Sequence, residues 1–299
     1  MHVLIIGGGT GGMCLAHGLR KAGVSVAAYE RYGSRRDGLY GYRVGIDPTG
    51  NRALKECLPP DLFDTFARDP RHFNVLTQSL RTTATFELPE GRDEINSERS
   101  VSRSTLRQVL FTGMDEVVHH GKEFTHYEQH PDGTVTAHFA DGTTATGDVL
   151  VAADGTRSAV RRQYLPHAEI KDAGITAIAT KTALTPETRA LLSDEVLNGL
   201  SLIFGTKGMI GMLHVMEFKW DEQGRPKNPA DTALLDSWSG LRFDNTRDYI
   251  NLSIWSADDH FPEGTHHRRG KQLVDIALES PSPPGRPPPS PCSATPSTR

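Results

Sequence analysis

Val3-Leu4-Ile5-Ile6-Gly7-Gly8-Gly9-Thr10-Gly11-Gly12 opens the chain after two residues. The four apolar residues read as a short buried strand that stops at glycine. The glycines that follow contain G-x-G-x-x-G as Gly7, Gly9 and Gly12. In a chain with 29 glycines that pattern is weak by itself. Its surroundings strengthen it. Residues 11–22 place Cys14, Leu15 and Leu19 on one helix face, and Gly23 follows as a stop. Residues 24–29 then read as a second strand, and Glu30 ends it 18 residues after Gly12. The chemistry of a dinucleotide needs these types. Gly7 permits the tight turn, Gly9 lets backbone approach a pyrophosphate, and Gly12 lets the helix pack closely on the strand. With Thr10 and Gly11 they form the candidate cofactor loop, at a helix N-terminus whose free N–H groups and dipole favour phosphate. Glu30 can accept hydrogen bonds from both ribose hydroxyls of an adenosine. A carboxylate there disfavours a 2′-phosphate, which points to FAD or NAD rather than NADP.

Working outward, 299 residues suffice for a substantial core in one large domain or two intertwined ones. Lys and Arg number 33 against 37 Asp and Glu, a net charge of −4. A nucleic-acid binder built on bulk electrostatics usually shows the opposite surplus. Cys14, Cys57 and Cys292 are odd in number and share no close spacing, which argues against a disulfide framework or a cysteine zinc site. No run approaches the ~18 apolar residues of a membrane span. A soluble protein of the reducing cytoplasm, with no membrane or nucleic-acid partner, is the expectation. The oligomeric state is not readable.

Helices are expected at 49–56, 61–68 and 102–118, the last with Ser102 as N-cap. Strand patterning runs over 73–88. A meander follows as 123–130, 134–139 and 143–151, divided by Pro131-Asp132-Gly133 and Ala140-Asp141-Gly142, both strong hairpin signals. Further strands are read at 175–184, 200–204, 209–219 and 249–255, with a helix starting near 272. The expected fold class is α/β: a Rossmann-type dinucleotide-binding domain with a β-meander, plus a mostly antiparallel sheet, which the family resemblance carried by the motifs below makes an FAD/NAD(P)-binding domain and a substrate-domain sheet. The boundaries are 1–72 and 97–170 for the discontinuous cofactor domain, and 73–96 and 171–279 for the substrate sheet. Residues 280–299 carry eight of the 19 prolines and read as a disordered Pro/Ser-rich tail.

Two further segments bear chemistry. Arg103 and Arg107 lie four residues apart in the first turns of the 102–118 helix. Cations there oppose the macrodipole, which makes sense if an anion sits opposite; surface arginines paired with nearby carboxylates explain the pattern equally well. The run Val149-Leu150-Val151-Ala152-Ala153-Asp154-Gly155-Thr156-Arg157-Ser158 is a strand ending in a sharp turn and a new helix. His126, Glu128 and His130 alternate on one strand face; a solvated hairpin face accounts for them, and no metal site is expected. Arg35-Arg36 reads as a charged loop that would alternatively meet a nicotinamide cofactor's phosphate.

The three ordered motifs together carry a resemblance. They are the N-terminal GxGxxG with Glu30-Arg31, the R-x-x-L-R helix from Arg103, and the Asp154-Gly155-x-x-Ser158-x-x-Arg161 segment after the meander. Over residues 1–275 the chain resembles the single-component FAD-dependent aromatic hydroxylases, the family of 4-hydroxybenzoate and salicylate hydroxylases and the tetracycline-modifying monooxygenases. The resemblance implies that Gly7, Gly9, Gly12, Glu30 and Arg31 hold the adenosine diphosphate of FAD. It implies that Arg103 contacts the ribityl–pyrophosphate region, with Arg107 beside it, and that Asp154 and Gly155 belong to the element serving both FAD and NAD(P)H. Gly45-Ile46-Asp47 is similar to the segment passing near the flavin ring, with Asp47 as a weaker contact. The implied activity is monooxygenation of a small or medium aromatic, phenolic substrate with NAD(P)H and O2. The catalytic residues are unknown, because the cofactor supplies the hard chemistry. Phe204, Met209, Met212, Met216 and Trp220 are candidate substrate lining, although core packing explains such residues equally.

The sequence departs from the family at its C-terminal end. The family's second FAD motif, Gly-Asp-Ala-x-His, is missing, and the only Gly-Asp pair is Gly147-Asp148. The compositional break near Ser280 matches an out-of-frame reading of a GC-rich gene. Hence the alternative expectation: a truncated or frameshifted remnant that binds FAD weakly and does not turn over.

Overall fold

The computed structural model describes residues 1–273 apart from 36, 38–42, 64–71, 78–81, 88–98, 206, 207, 219, 224, 230, 231, 233–246, 269 and 271. In chain order the elements begin with β1 (His2–Ile6), α1 (Thr10–Lys21), β2 (Ser25–Glu30), β3 (Arg43–Ile46), α2 (Pro48–Cys57) and α3 (Pro60–Phe63). Next come β4 (His72–Thr77), β5 (Thr82–Glu87), β6 (Arg99–Ser102), α4 (Arg103–Phe111) and β7 (Val118–His120). The meander region holds β8 (Phe124–Gln129), β9 (Val135–Phe139), β10 (Thr144–Gly147), β11 (Val149–Ala152) and α5 (Ala159–Tyr164). The last set is β12 (Ile175–Ala183), α6 (Pro186–Arg189), α7 (Asp194–Leu197), β13 (Gly199–Phe204), β14 (Ile210–Met216) and β15 (Tyr249–Ala257).

The opening strand is apolar without alternation because it is covered on both faces. β1 lies between β2 and β11 in a sheet ordered β11-β1-β2-β7, and all three pairings are parallel. Val3 and Ile5 point into a core with Met13, Ala16, Leu106, Val109 and Leu110 from α1 and α4. Leu4 and Ile6 point the other way, against Tyr29, Phe139 and Val160. Two-sided burial is what a near-continuous apolar run signals in a parallel sheet. Each fully buried aliphatic contributes about 1.5–3 kcal/mol.

The meander β10-β9-β8 is antiparallel and packs Phe124, Ala137 and Phe139 onto that second face. One expected strand, 143–151, is in fact two. The chain leaves the meander at Gly147 and enters the parallel sheet at Val149, so that Val3 pairs with Val149. A Cβ at Gly147 would lie 2.9 Å from the His2 carbonyl oxygen, so the crossover passes directly over β1. The expected helix over 102–118 ends at Phe111. Gly113, at φ +70°, breaks it, and Val118 is recruited as a sheet partner of Ala28. Local periodicity had continued through a segment that tertiary pairing claims. α3 covers only Pro60–Phe63 of the helix read at 61–68, whose remainder lies outside the described residues. So do the tail at 280–299 and all but the first two residues of the helix read from 272.

The third assembly is a six-stranded sheet ordered β12-β15-β14-β13-β4-β5, antiparallel except between β13 and β4. Its register aligns Lys181, Asn251, His214 and Leu200 in a row across four strands. Leu213, Val215, Ile203 and Ile250 face α7 and pack with Val196 and Leu197. β3 and β6 pair antiparallel as a separate two-stranded ribbon. Arg43 on β3 donates through a guanidinium NH to the carbonyl of Val215, 3.0 Å away, and so ties the ribbon to β14.

Candidate cofactor site

The glycine loop sits at the C-terminal end of β1, wedged against the turn after β11. Gly7 has φ +108°, and its N–H donates to the Tyr29 carbonyl at 2.9 Å. A Cβ at Gly7 would lie 2.4 Å from the Ala153 carbonyl oxygen, and one at Gly12 would lie 2.3 Å from that of Gly7. Those two glycines are required by the protein's own packing. Gly9 and Gly11 are different: a Cβ at Gly9 meets nothing nearer than 3.9 Å, and one at Gly11 meets nothing within 4 Å. Gly9 is the N-cap of α1, no side chain caps that end, and Thr10 and Gly11 are exposed. The loop therefore presents open backbone at a helix N-terminus, the arrangement that receives phosphate.

Glu30 comes to the same place from β2. It is only 5% exposed. Its Oε2 accepts from the Gly8 N–H and its Oε1 from the Tyr32 N–H, both at 3.0 Å. Arg107 brings a guanidinium nitrogen to within 3.5 Å of Oε2. The Arg107 guanidinium also lies 5.5 Å from the Tyr32 ring centroid and 5.2 Å from that of Phe111, a cation–π bracket. Burial lowers the Arg107 pKa, and the Glu30 carboxylate opposes that shift. The anion facing Arg107 is thus a protein carboxylate.

The two arginines of α4 consequently part company. Arg107 turns inward to Glu30, while Arg103, the first residue of the helix, stays exposed. Ser102 caps α4 by accepting from the Thr105 N–H at 3.4 Å. Arg31 points outward, donating to the Tyr32 hydroxyl at 3.2 Å. Asp47 is exposed and caps α2, its Oδ1 accepting from the Gly50 N–H at 2.6 Å. Asp154 opens α5: its Oδ2 accepts from the Ala159 N–H at 2.7 Å, while its buried Oδ1 has no hydrogen-bond partner. Gly155 follows at φ +78°. The structure gathers Gly7, Gly9, Thr10, Gly11, Gly12, Glu30, Arg107 and Asp154 about the ends of β1, β2 and β11. Asp47 instead heads a separate helix. Tyr32, Phe111 and Gln108 complete the surroundings without a sequence signal. Arg35 is held by α4, donating to Gln108 Oε1 at 2.7 Å and to the Gln108 carbonyl at 2.8 Å.

The loop fits a dinucleotide. Open backbone at Gly9 to Gly11, a buried carboxylate at the tip of β2 and the unpartnered Oδ1 of Asp154 all lie at the carboxyl ends of parallel strands, where open α/β sheets bind ligands.

The six-stranded sheet contributes a second surface. On the face away from α7, Met212, His214 and Met216 of β14 alternate with Leu213 and Val215. Asn251 is 3% exposed and its Oδ1 has no hydrogen-bond partner. Lys181 lies 4.7 Å from the Tyr249 ring centroid, and burial lowers its pKa. Of the residues read as lining, Met216 and Trp220 pack with Phe218 and Tyr249 and serve as core. Met209 is buried as well, whereas Phe204 is 52% exposed.

No family model matches the chain. Curated proteins do. The dual O-methyltransferase/FAD-dependent monooxygenase elcB of Phaeosphaeria nodorum is 32% identical over 211 residues, 67% of this chain and 23% of that protein. The FAD-dependent urate hydroxylase of Klebsiella oxytoca is 34% identical over 173 residues, 55% of this chain and 43% of that one. The chain is a relative of the FAD-dependent monooxygenases. It spans less than half the length of either of these curated relatives. Among solved structures, a provisionally assigned FAD-containing monooxygenase from Photorhabdus luminescens superposes with a TM-score of 0.74 at 29% identity. That match covers 93% of this chain and 69% of the other. Among the described residues, no helix is long and apolar enough to cross a membrane.

Proposed function

We propose that the chain binds FAD at the Gly7–Gly12 loop of a Rossmann-type sheet. On this reading it serves a monooxygenase that hydroxylates a small aromatic or heteroaromatic compound, using NAD(P)H and O2 in the cytoplasm. The observation that carries the reading is the division of labour among the glycines. Gly7 and Gly12 are used by the fold, while Gly9 and Gly11 leave backbone open at the N-terminus of α1. That opening has no structural use of its own. It suits a pyrophosphate, with Glu30 placed to accept from the adenosine ribose and Arg31 and Arg103 to meet the remaining phosphate charge.

Bound FAD supplies the redox and oxygen-activating chemistry. The chain's residues orient and enclose it. The Gly8 N–H and Arg107 hold the Glu30 side chain in place, so the ribose meets a fixed acceptor rather than a mobile one. Asp154 directs its free Oδ1 to the same end of the sheet. The six-stranded sheet presents Met212 and Leu202 as apolar surface, with Asn251, His214 and Lys181 in one row. An aromatic ring carrying a hydrogen-bond donor satisfies both kinds of residue, the ring against the apolar face and the donor at Asn251 Oδ1. The urate hydroxylase among the relatives supports a ring of this kind.

Purified chain is supplied with FAD, and NADH or NADPH oxidation and O2 uptake are followed against a panel of phenols, purines and hydroxypyridines. The reading expects stimulation by a subset of the panel, with a hydroxylated product. Flavin bound without stimulation by any ring overturns it.

A further inference from the structure

The meander carries a cluster that the flavin reading does not use. His126 and Glu128 lie two residues apart on β8, and His138 stands on β9 directly opposite His126 in the register. Each side chain offers one ligand atom, and the three atoms lie within 4.8 Å of one another. It is the one such grouping among the described residues. The sequence alternation read as a solvated face comprises His126, Glu128 and His130, but His130 is engaged elsewhere, its Nε2 lying 2.8 Å from Thr136 Oγ1. The third member comes instead from the neighbouring strand.

The hydrogen bonds fix which ring nitrogen is available. Thr125 Oγ1 donates its only proton to the His138 carbonyl at 3.0 Å. Its 3.0 Å contact with His126 Nδ1 therefore has the imidazole as donor, and the neutral ring keeps its lone pair on Nε2. This is the arrangement in which a metal-ligating histidine is held by its other nitrogen. On the partner strand, His138 Nε2 is buried and has no hydrogen-bond partner; it lies 3.6 Å from Glu128 Oε2. The two rings stack with centroids 4.2 Å apart and planes 8° from parallel. Two ligands of one zinc ion stand no more than about 4 Å apart, since each Zn–N or Zn–O bond is about 2.0–2.2 Å. Small side-chain rotations on this solvent-facing hairpin close the remaining gap.

We propose that His126, Glu128 and His138 form a surface site for one borderline divalent transition-metal ion, zinc foremost. Two imidazoles and a carboxylate are a zinc donor set, with water completing the shell. Bound there, the ion clips β8 to β9 beside the register shift between Phe124 and His126.

The test is a zinc titration of metal-stripped, full-length protein by calorimetry, repeated with cobalt as a spectroscopic reporter. One equivalent is expected, with no thiolate charge-transfer band. His138→Gln and Glu128→Gln each weaken binding by at least about tenfold, as losing part of a shell does. His130→Gln leaves binding unchanged, and Thr125→Val weakens it less than loss of a ligand. All four positions lie on the hairpin's outer face, and unchanged far-UV dichroism verifies the fold. No stoichiometric binding overturns the proposal. Binding that survives His138→Gln, that falls equally in His130→Gln, or that shows thiolate bands from any of the three cysteines also overturns it.

Discussion

The glycine-loop sheet and the six-stranded sheet make their sites in opposite ways. In the first, almost every functional group comes from 24 consecutive residues, Gly7 to Glu30, folded back on themselves as strand, helix and strand. In the second, the row Lys181, Asn251, His214 and Leu200 draws one residue from each of four strands. A site built along the chain leaves a spacing in the sequence. A site built across a register leaves none, because only the pairing brings its members together. Glu30 at the glycine loop accepts two backbone N–H bonds, and each region keeps a buried oxygen without a hydrogen-bond partner, Asp154 Oδ1 in the first and Asn251 Oδ1 in the second.

The sharpest way to break this contrast is Gly12→Val. A Cβ there lies 2.3 Å from the Gly7 carbonyl and 3.0 Å from the Ala153 Cβ, neither of which is a flexible side-chain end. Overpacking of this kind costs about 1–3 kcal/mol or more, and the loop it distorts anchors both β1 and α1. Thermal unfolding should shift down by many degrees or lose cooperativity. A variant as stable as the parent would show that the loop is not packed by its glycines.

Asn251→Leu probes the other site. Removing a buried acceptor without a partner relieves a desolvation cost, so the midpoint should hold or rise. The KM for the aromatic substrate should rise about tenfold, the worth of one good hydrogen bond, while FAD affinity stays put. An unchanged KM would remove Asn251 from the substrate surface.

How far the molecule could be read in advance follows the same division. The loop, the helix behind it and Glu30 were legible because periodicity and glycine spacing are local properties. The partition of Arg103 from Arg107 was not. Both fit an anion at a helix N-terminus, and only the fold reveals that Arg107's anion is Glu30. The meander hairpins announced themselves through Pro131-Asp132-Gly133 and Ala140-Asp141-Gly142. The switch at Gly147 from one sheet to another did not, since Thr144 to Ala152 is a plausible single strand by propensity. Met216 and Trp220 were readable equally as lining or as core, because a large apolar residue is ambiguous until its neighbours are known, here Phe218 and Tyr249. His138 escaped the histidine pattern on β8 because it arrives from β9.

A smaller effect sharpens the account of the first region. His17 of α1 is buried, and its Nε2 lies 2.9 Å from the Leu110 carbonyl of α4. Burial lowers its pKa below the ordinary 6.5, against an opposing contribution from that hydrogen bond. Below that pH the unfolded chain takes up the proton before the folded one does. The stability associated with neutral His17 is therefore complete above about pH 6.5 and is lost as pH falls towards the folded-state value. One such proton contributes a slope of at most about 1.4 kcal/mol per pH unit. Chemical denaturation at several pH values should show the slope in the parent and flatten it in His17→Gln. An identical slope in both would assign it to other groups.

The central claim is that Gly9 is kept for a ligand and Gly12 for the fold, and a paired measurement on Gly9→Val tests it. Its Cβ meets nothing closer than 3.9 Å in the protein, so the melting temperature should match the parent's to within a degree or two. FAD binding, followed by quenching of flavin fluorescence on titration with protein, should disappear, because the branched side chain stands where the pyrophosphate would approach. Loss of FAD binding with stability intact is the predicted result. FAD held equally well by Gly9→Val would contradict the account.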